Sequence, residues 1–169
     1  MAAEQTDAAE KDNISQQQAE FIQRMKDEAK HTLETLDVNF DTVAGLRSPP
    51  ENPRFLVEII DTFVAHSATV VARLESEINQ PIPFYDDAVR DLLQLKGSSS
   101  SMGGGRVAAA CLELRRACDD SDKQRCLESL KKVKDEYQTL RDTLIEISRM
   151  EKIILDKNVT LASSSSALN

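Results

Sequence analysis

The sequence predicts an all-α protein, an antiparallel up-down four-helix bundle with one or two additional N-terminal helices. Apolar residues recur at steps of three and four along most of the 169 residues, which is the period of an amphipathic helix. Glycine and proline number only five each, too few for the many turns of a β protein. The segments between the apolar stretches are short, so consecutive helices should be antiparallel neighbours.

The N-terminal part of the chain should contain a disordered segment followed by one or two helices. Residues 1–13 are polar and acidic, which predicts disorder. The spacing of apolar residues predicts an amphipathic helix over Ser15–Leu36 and a second, short helix over Val38–Leu46. The sequence GLRSPPENP then interrupts the helical pattern with three prolines.

The first two bundle helices follow this interruption. The Asn-Pro dipeptide at 52–53 suits a helix start, because a capping side chain precedes a residue favoured in the first turn, and the apolar stripe continues to Gln80. Two aspartates at 86–87 favour the N-terminus of the second helix. Its apolar spacing continues across four serines, so we expect this helix to extend to Met102.

The last two bundle helices lie on either side of a short polar loop. Three glycines at 103–105 predict the turn before the third helix, which contains Val107–Cys118. The fourth helix has apolar residues about every 3.5 positions and should end near residue 155. We therefore expect one helical domain over 14–156 and a disordered tail over 157–169.

The composition disfavours several classes of function. The formal charge is 21 − 29 = −8, and phosphate backbones are bound through Lys and Arg, so we expect no nucleic-acid partner. No unbroken apolar run approaches the roughly 20 residues that cross a bilayer, and the N-terminus lacks an apolar signal core. We therefore expect a soluble intracellular protein, a monomer, with no membrane contact.

The three cysteines, Cys111, Cys118 and Cys126, are expected to be small buried side chains. They are spaced by seven and eight positions and form no CxxC pair. A zinc site needs about four ligands, and both histidines, His31 and His66, are distant in sequence, so no metal is expected. Free thiols indicate a reducing compartment.

The segment LQLKGSSSSMGGGR at 93–106 is the strongest candidate for a functional site. It does not match a P-loop, and a helix rather than a strand precedes its glycines, which argues against a dinucleotide site; no cofactor is expected. On a helix, Leu93, Lys96, Gly97 and Ser100 share one face. The gap at Gly97 suits the close approach of a partner or the packing of a neighbouring helix, and the residues alone leave both open.

The sequence QLKGSSSSMGGGRV resembles the signature of plant histidine-containing phosphotransfer (HPt) proteins, H-Q-[LF]-K-G-S-S-S-S-[IV]-G-A-x-R-V. The segments LDVNFDTV, NPRFLVEIIDTFVAHSATVVARLE, CLELRRACDD and SLKKVKDEYQTLRDTL are similar to the family's other segments in the same order. The resemblance implies a helical bundle that passes a phosphoryl group between hybrid sensor kinases and response-regulator receivers, in plants mainly in cytokinin signalling. It also implies a location in cytoplasm and nucleus.

One departure from the signature changes the implied function. The family's phosphorylated histidine lies three residues before the lysine and four before the glycine, and counting back from Lys96 and Gly97 gives Leu93. Leucine offers no lone pair to phosphorus. The resemblance therefore implies a pseudo-HPt, not an enzyme, that binds receivers without carrying phosphate and competes with true carriers. Gly104 replaces the family's alanine, which predicts a looser turn.

We expect the partner-binding surface to comprise Leu93, Gln94, Lys96, Gly97 and Ser98, with Arg90 and Arg106 at its rim. Two alternatives remain open, an active carrier that uses an unconventional acceptor such as His66, and a plain helical scaffold. His66 follows the apolar stripe of its helix, so we expect it to lie at the boundary of the core or within it. His31 is expected to be solvated on the polar side of the first helix.

Overall fold

The structure, a computed structural model, describes residues 36–45 and 52–166, with side chains as far as Asn158, and isolated residues between 13 and 27. The two continuous ranges contain helices and no β-strand. The helices are α1 (Val38–Gly45), α2 (Phe55–Ile78), α3 (Tyr85–Ser101), α4 (Gly105–Asp119) and α5 (Lys123–Ser166). The predicted all-α class is confirmed.

Helices α2 to α5 form the antiparallel bundle, as the contacts between α2 and α5 illustrate. The hydroxyls of Ser67 and Tyr137 lie 3.0 Å apart, and Ser148 donates to Asp61 at 2.8 Å. Residue numbers thus fall along α2 as they rise along α5, which defines antiparallel neighbours. The short loops after α2, α3 and α4 give each helix its sequence neighbour as a packing partner.

The serine run belongs to α3, and the hydroxyls of two of its serines bond to carbonyls of the same helix. Ser98 donates to the carbonyl of Gln94 at 3.0 Å, and Ser101 donates to that of Gly97 at 3.1 Å. These i to i−4 bonds satisfy the hydroxyls without breaking the backbone ladder. Ser99 is fully buried. The predicted continuation of the helix to the turn at Met102 is therefore confirmed.

The glycine turn between α3 and α4 is closely packed. Gly103 has a φ of +78°, a conformation that favours glycine, and its carbonyl accepts a bond from the Asp37 amide at 2.8 Å. A Cβ on Gly104 would lie 2.6 Å from Leu140 Cδ2 and 3.0 Å from the Ser99 carbonyl oxygen. An alanine at position 104 would therefore require Leu140 or the Ser99 backbone to move, and the looser turn expected from Gly104 stays a prediction.

The core consists of apolar side chains from every helix of the two continuous ranges. The three cysteines are all buried in it and unbridged, as predicted, and Cys118 Sγ lies 3.7 Å from Cys126 Sγ. Burial raises the pKa of the Cys111 thiol to about 12, an effect that the positive charge of Lys96 opposes. Such thiols stay protonated at neutral pH and behave as small apolar groups.

Two predicted boundaries differ from the structure. Asn52 does not cap a helix directly: its side-chain oxygen accepts a bond from the Arg54 amide at 3.1 Å in a turn, and α2 begins at Phe55. The last helix continues past the predicted end near residue 155 to Ser166, so most of the predicted tail over 157–169 is helical. Serine and alanine tolerate helix once a long helix is nucleated. The predicted elements over 1–13 and Ser15–Leu36 lie largely outside the described residues.

Helix α2 is long and apolar enough to cross a membrane by length and composition alone. That property was not anticipated, because polar and charged residues divide the helix into short apolar runs. The core helix of a bundle meets the same criterion, and nine residues of α2 are buried in this structure.

Candidate functional site

The candidate site lies on the solvent side of α3. We call the surface formed by the following residues the α3 outer face: Arg90, Leu93, Gln94, Lys96, Gly97 and Ser98. Buried residues on the opposite side of the helix, Leu92 and Leu95 among them, anchor α3 in the core. The period of 3.6 then places Leu93 and Gly97 furthest from the bundle axis. The residues alone also allowed a neighbouring helix to pack against Gly97. In the described part of the chain, no helix does so.

Leu93 is a large apolar side chain left in contact with solvent. It is 46% exposed, although its neighbours in sequence on the buried side are almost fully covered. Single exposed leucines are common on protein surfaces. This one lies beside a glycine and a lysine on a face whose other side chains are polar, which favours a role for it in a binding surface.

Gly97 leaves open space next to Leu93. A Cβ built on Gly97 meets no atom within 4 Å, so no packing contact within the described chain requires glycine here. Glycine inside a helix costs roughly 0.5–1 kcal/mol relative to alanine. A residue that destabilises its own helix and fills no internal need suits the close approach of another molecule.

Gln94 forms the edge of the face towards α2. Its Nε2 lies 2.6 Å from Nε2 of His66, within hydrogen-bond distance. A second cross-link lies nearby, where Arg73 binds Asp91 through two hydrogen bonds of 3.0 and 2.7 Å. These contacts fix the position of α3 against α2.

His66 was expected near the core, and the structure instead places it exposed at the edge of the α3 outer face. Its position at the site was missed from sequence. His66 meets Gln94 because of the way α2 and α3 are aligned along each other, and no short sequence motif predicts that alignment. His31 lies outside the described residues.

The cationic residues named from the sequence occupy different positions. Lys96 lies on the side of the face towards α4, where its charge acts on Cys111, and it forms no ion pair within the described ranges. Arg90 is paired with Asp87 at 3.1 Å and remains largely exposed at the rim. Arg106 pairs with Glu136 of α5 at 2.9 Å, so the structure does not bring Arg106 together with the others.

The described residues contain no cluster of three or more metal-ligating side chains. Nor does the α3 outer face present a nucleophile with an adjacent base, the arrangement that covalent catalysis requires. The face presents an apolar centre at Leu93, a gap at Gly97, and a lysine that forms no ion pair with any residue that the structure describes.

Comparison with known proteins identifies the family of this bundle. Residues 58–143 match the family model described as the Hpt domain, and this range contains α3, α4 and most of α2. The chain belongs to the Hpt domain family. The resemblance read from the signature around Leu93 is thereby confirmed.

Two relatives of this Hpt protein represent the two named types. Histidine-containing phosphotransfer protein 5 of Arabidopsis thaliana is 31% identical over 130 residues, which cover 75% of this chain and 80% of that protein. Pseudo histidine-containing phosphotransfer protein 5 of Oryza sativa subsp. japonica is 33% identical over 106 residues, covering 63% and 69%. Both types are thus similar to this chain to about the same degree.

Solved structures share the fold of this Hpt protein. A histidine-containing phosphotransfer protein from maize superposes with a TM-score of 0.70 at 25% identity, covering 83% of this chain and 99% of that one. A histidine-containing phosphotransfer protein from Medicago truncatula gives a TM-score of 0.69 at 22% identity, covering 80% and 92%. The second likeness supports the fold alone.

Proposed function

We propose that this chain is a pseudo-histidine phosphotransfer protein that binds receiver domains of response regulators and hybrid sensor kinases without carrying phosphate. The observation that carries the proposal is Leu93, exposed on α3 at the position of the family's phosphorylated histidine. Phosphoryl transfer needs a nucleophile in line with the phosphorus atom, and a hydrocarbon side chain supplies none. Relatives named pseudo histidine-containing phosphotransfer proteins are as similar to this chain as those named for true carriers, so the proposal depends on Leu93 and not on overall similarity.

Such a protein acts by occupying receivers. It is not an enzyme, and in a cytokinin-type two-component phosphorelay it competes with true carriers for the same receiver surface, in cytoplasm and nucleus, as a monomer. Leu93 contributes apolar contact and Gly97 lets the partner approach the α3 backbone. Lys96 meets an acidic part of the receiver, and because the net charge of −8 opposes long-range attraction to an acidic partner, recognition is local.

The pairing of His66 supports a non-carrying function over an unconventional acceptor. Its Nε2 is engaged by Gln94, so that nitrogen must leave the amide before it can attack phosphorus. The lysine and glycine that follow the family's histidine also have no counterpart after His66, where Thr69 and Val70 occupy those positions.

The test is a phosphotransfer assay run beside a binding assay. A receiver domain phosphorylated by its kinase is incubated with this chain, and a true carrier serves as the positive control. We expect the chain to bind the receiver and to gain no acid-labile phosphate. Labelling of His66 at the carrier's rate would refute the non-carrying function, and failure to bind any receiver in a panel would favour the plain helical scaffold.

A further inference from the structure

A second exposed leucine lies next to the α3 outer face. Among the described residues of α3 and α4, the large apolar side chains exposed to solvent are Leu93, at 46%, and Leu112, at 38%. Leu112 belongs to α4, which packs along α3. The family signature ends before this residue, so the sequence motif gives no role to it.

The two leucines lie at nearly the same level of the bundle. Leu93 precedes the end of α3 at Ser101 by eight residues, and Leu112 follows the start of α4 at Gly105 by seven. The helices are antiparallel across a short turn and rise about 1.5 Å per residue, so the levels differ by about 1.5 Å. Axes of packed helices are about 8–10 Å apart, which brings both side chains within the area of one partner.

The charges around the pair favour an acidic partner. Lys96 follows Leu93 by about one turn on α3, and Arg116 is exposed one turn after Leu112. Neither cation forms an ion pair with the residues described. The neighbouring carboxylate, Glu113, is already bound by Lys132 at 2.9 Å. The surface is therefore apolar with uncompensated positive charge at its border.

We propose that Leu112 is a second apolar anchor of the receiver-binding surface, which extends from α3 across the seam to α4. This inference rests on the proposed function, since the occupant is a receiver domain. Its contacting surface has an apolar patch for both leucines, bordered by carboxylates that meet Lys96 and Arg116. Interface affinity is concentrated in a few central side chains surrounded by weaker contacts, and Leu93 and Leu112 fit that pattern.

The experiment compares Leu112→Ala with Ile145→Ala. Ile145 is a matched control, because it is 39% exposed and lies on α5, across the bundle from α3. Binding to unphosphorylated receiver domains is measured by calorimetry for each variant and for the wild type. We expect Leu112→Ala to weaken affinity about tenfold and Ile145→Ala to change it less than about twofold. Leu112→Gln keeps the length and helix propensity of leucine and should lose affinity likewise.

The outcomes separate this inference from the function on which it rests. If the wild type binds, Gly97→Ala weakens binding, and both Leu112 variants bind normally, then the interface is confined to α3 and the Leu112 anchor is refuted. If the wild type binds no receiver, the proposed function fails and the anchor with it. Equal losses for Leu112→Ala and Ile145→Ala would also refute the anchor, because such losses would reflect a general effect on the fold.

Discussion

Gly97→Ala should make the protein more stable and a weaker binder. The added methyl group enters a volume in which no atom lies within 4 Å, so it meets no steric resistance. Alanine inside a helix is favoured over glycine by about 1 kcal/mol. For a chain of this size that difference raises the melting temperature by about 2–4 °C.

The same methyl group stands where a receiver would approach the α3 backbone. The methyl group would hold the receiver away from α3, so that contacts of the residues around position 97 are also lost. We expect affinity to fall about tenfold, or 1.4 kcal/mol. Thermal denaturation followed by circular dichroism measures the first effect, and calorimetric titration with a receiver measures the second. The substitution should raise the melting temperature and lower the affinity for the receiver, so a single variant tests both expectations.

Gly45→Ala provides the matched control for this experiment. Gly45 also has no atom within 4 Å of a built Cβ, but it ends α1, outside the α3 outer face, so receiver affinity should not change. Undiminished affinity of Gly97→Ala would mean that the partner does not approach α3 at this point. A lower melting temperature would refute the assignment of open space around Gly97.

Three further variants test other parts of the structure. Leu93→His should accept a phosphoryl group from a phosphorylated receiver, since the position is exposed and opens no core cavity; a variant that folds, binds and stays unlabelled would show that more than one residue was lost. Gly104→Ala should lower the free energy of unfolding by about 1–3 kcal/mol, because its Cβ meets Leu140, and urea denaturation measures this. Burial, with the charge of Asp91, raises the pKa of Glu77, so its ionisation destabilises the fold. Glu77→Gln should therefore melt higher at pH 7, and that advantage should disappear as the pH falls below the ordinary Glu range near 4.3; an advantage that persists in acid would contradict this origin.

Elements that depend on apolar spacing could be predicted from the sequence. The serine run was assigned to a helix because the spacing of Leu92, Leu95 and Met102 continues across it, and the structure agrees. Prediction from the helical spacing of apolar residues works here because burying one face of the helix outweighs the slightly unfavourable helix propensity of serine. The same logic placed Leu93 and Gly97 on one face, and the structure shows that this face is exposed.

Features that depend on contacts between helices could not be predicted. The bond between His66 and Gln94 requires the register of α2 against α3, and the tight packing at Gly104 requires the position of Leu140 on α5. Arg106 was placed at the rim by its nearness in sequence, yet its partner Glu136 holds it against α5. Terminal boundaries also escaped prediction, because capping preferences are weak compared with the continuation of a long helix such as α5.

The independence of the α3 outer face from the core has an evolutionary consequence. Gly97 makes no packing contact that requires glycine, and Leu93 is 46% exposed, so folding constrains position 93 less than it constrains the buried core. Histidine and leucine codons can be interconverted by a point mutation in the second base. A duplicated gene for a carrier can therefore become a gene for a competitor, or revert, through a change at a surface position rather than in the core.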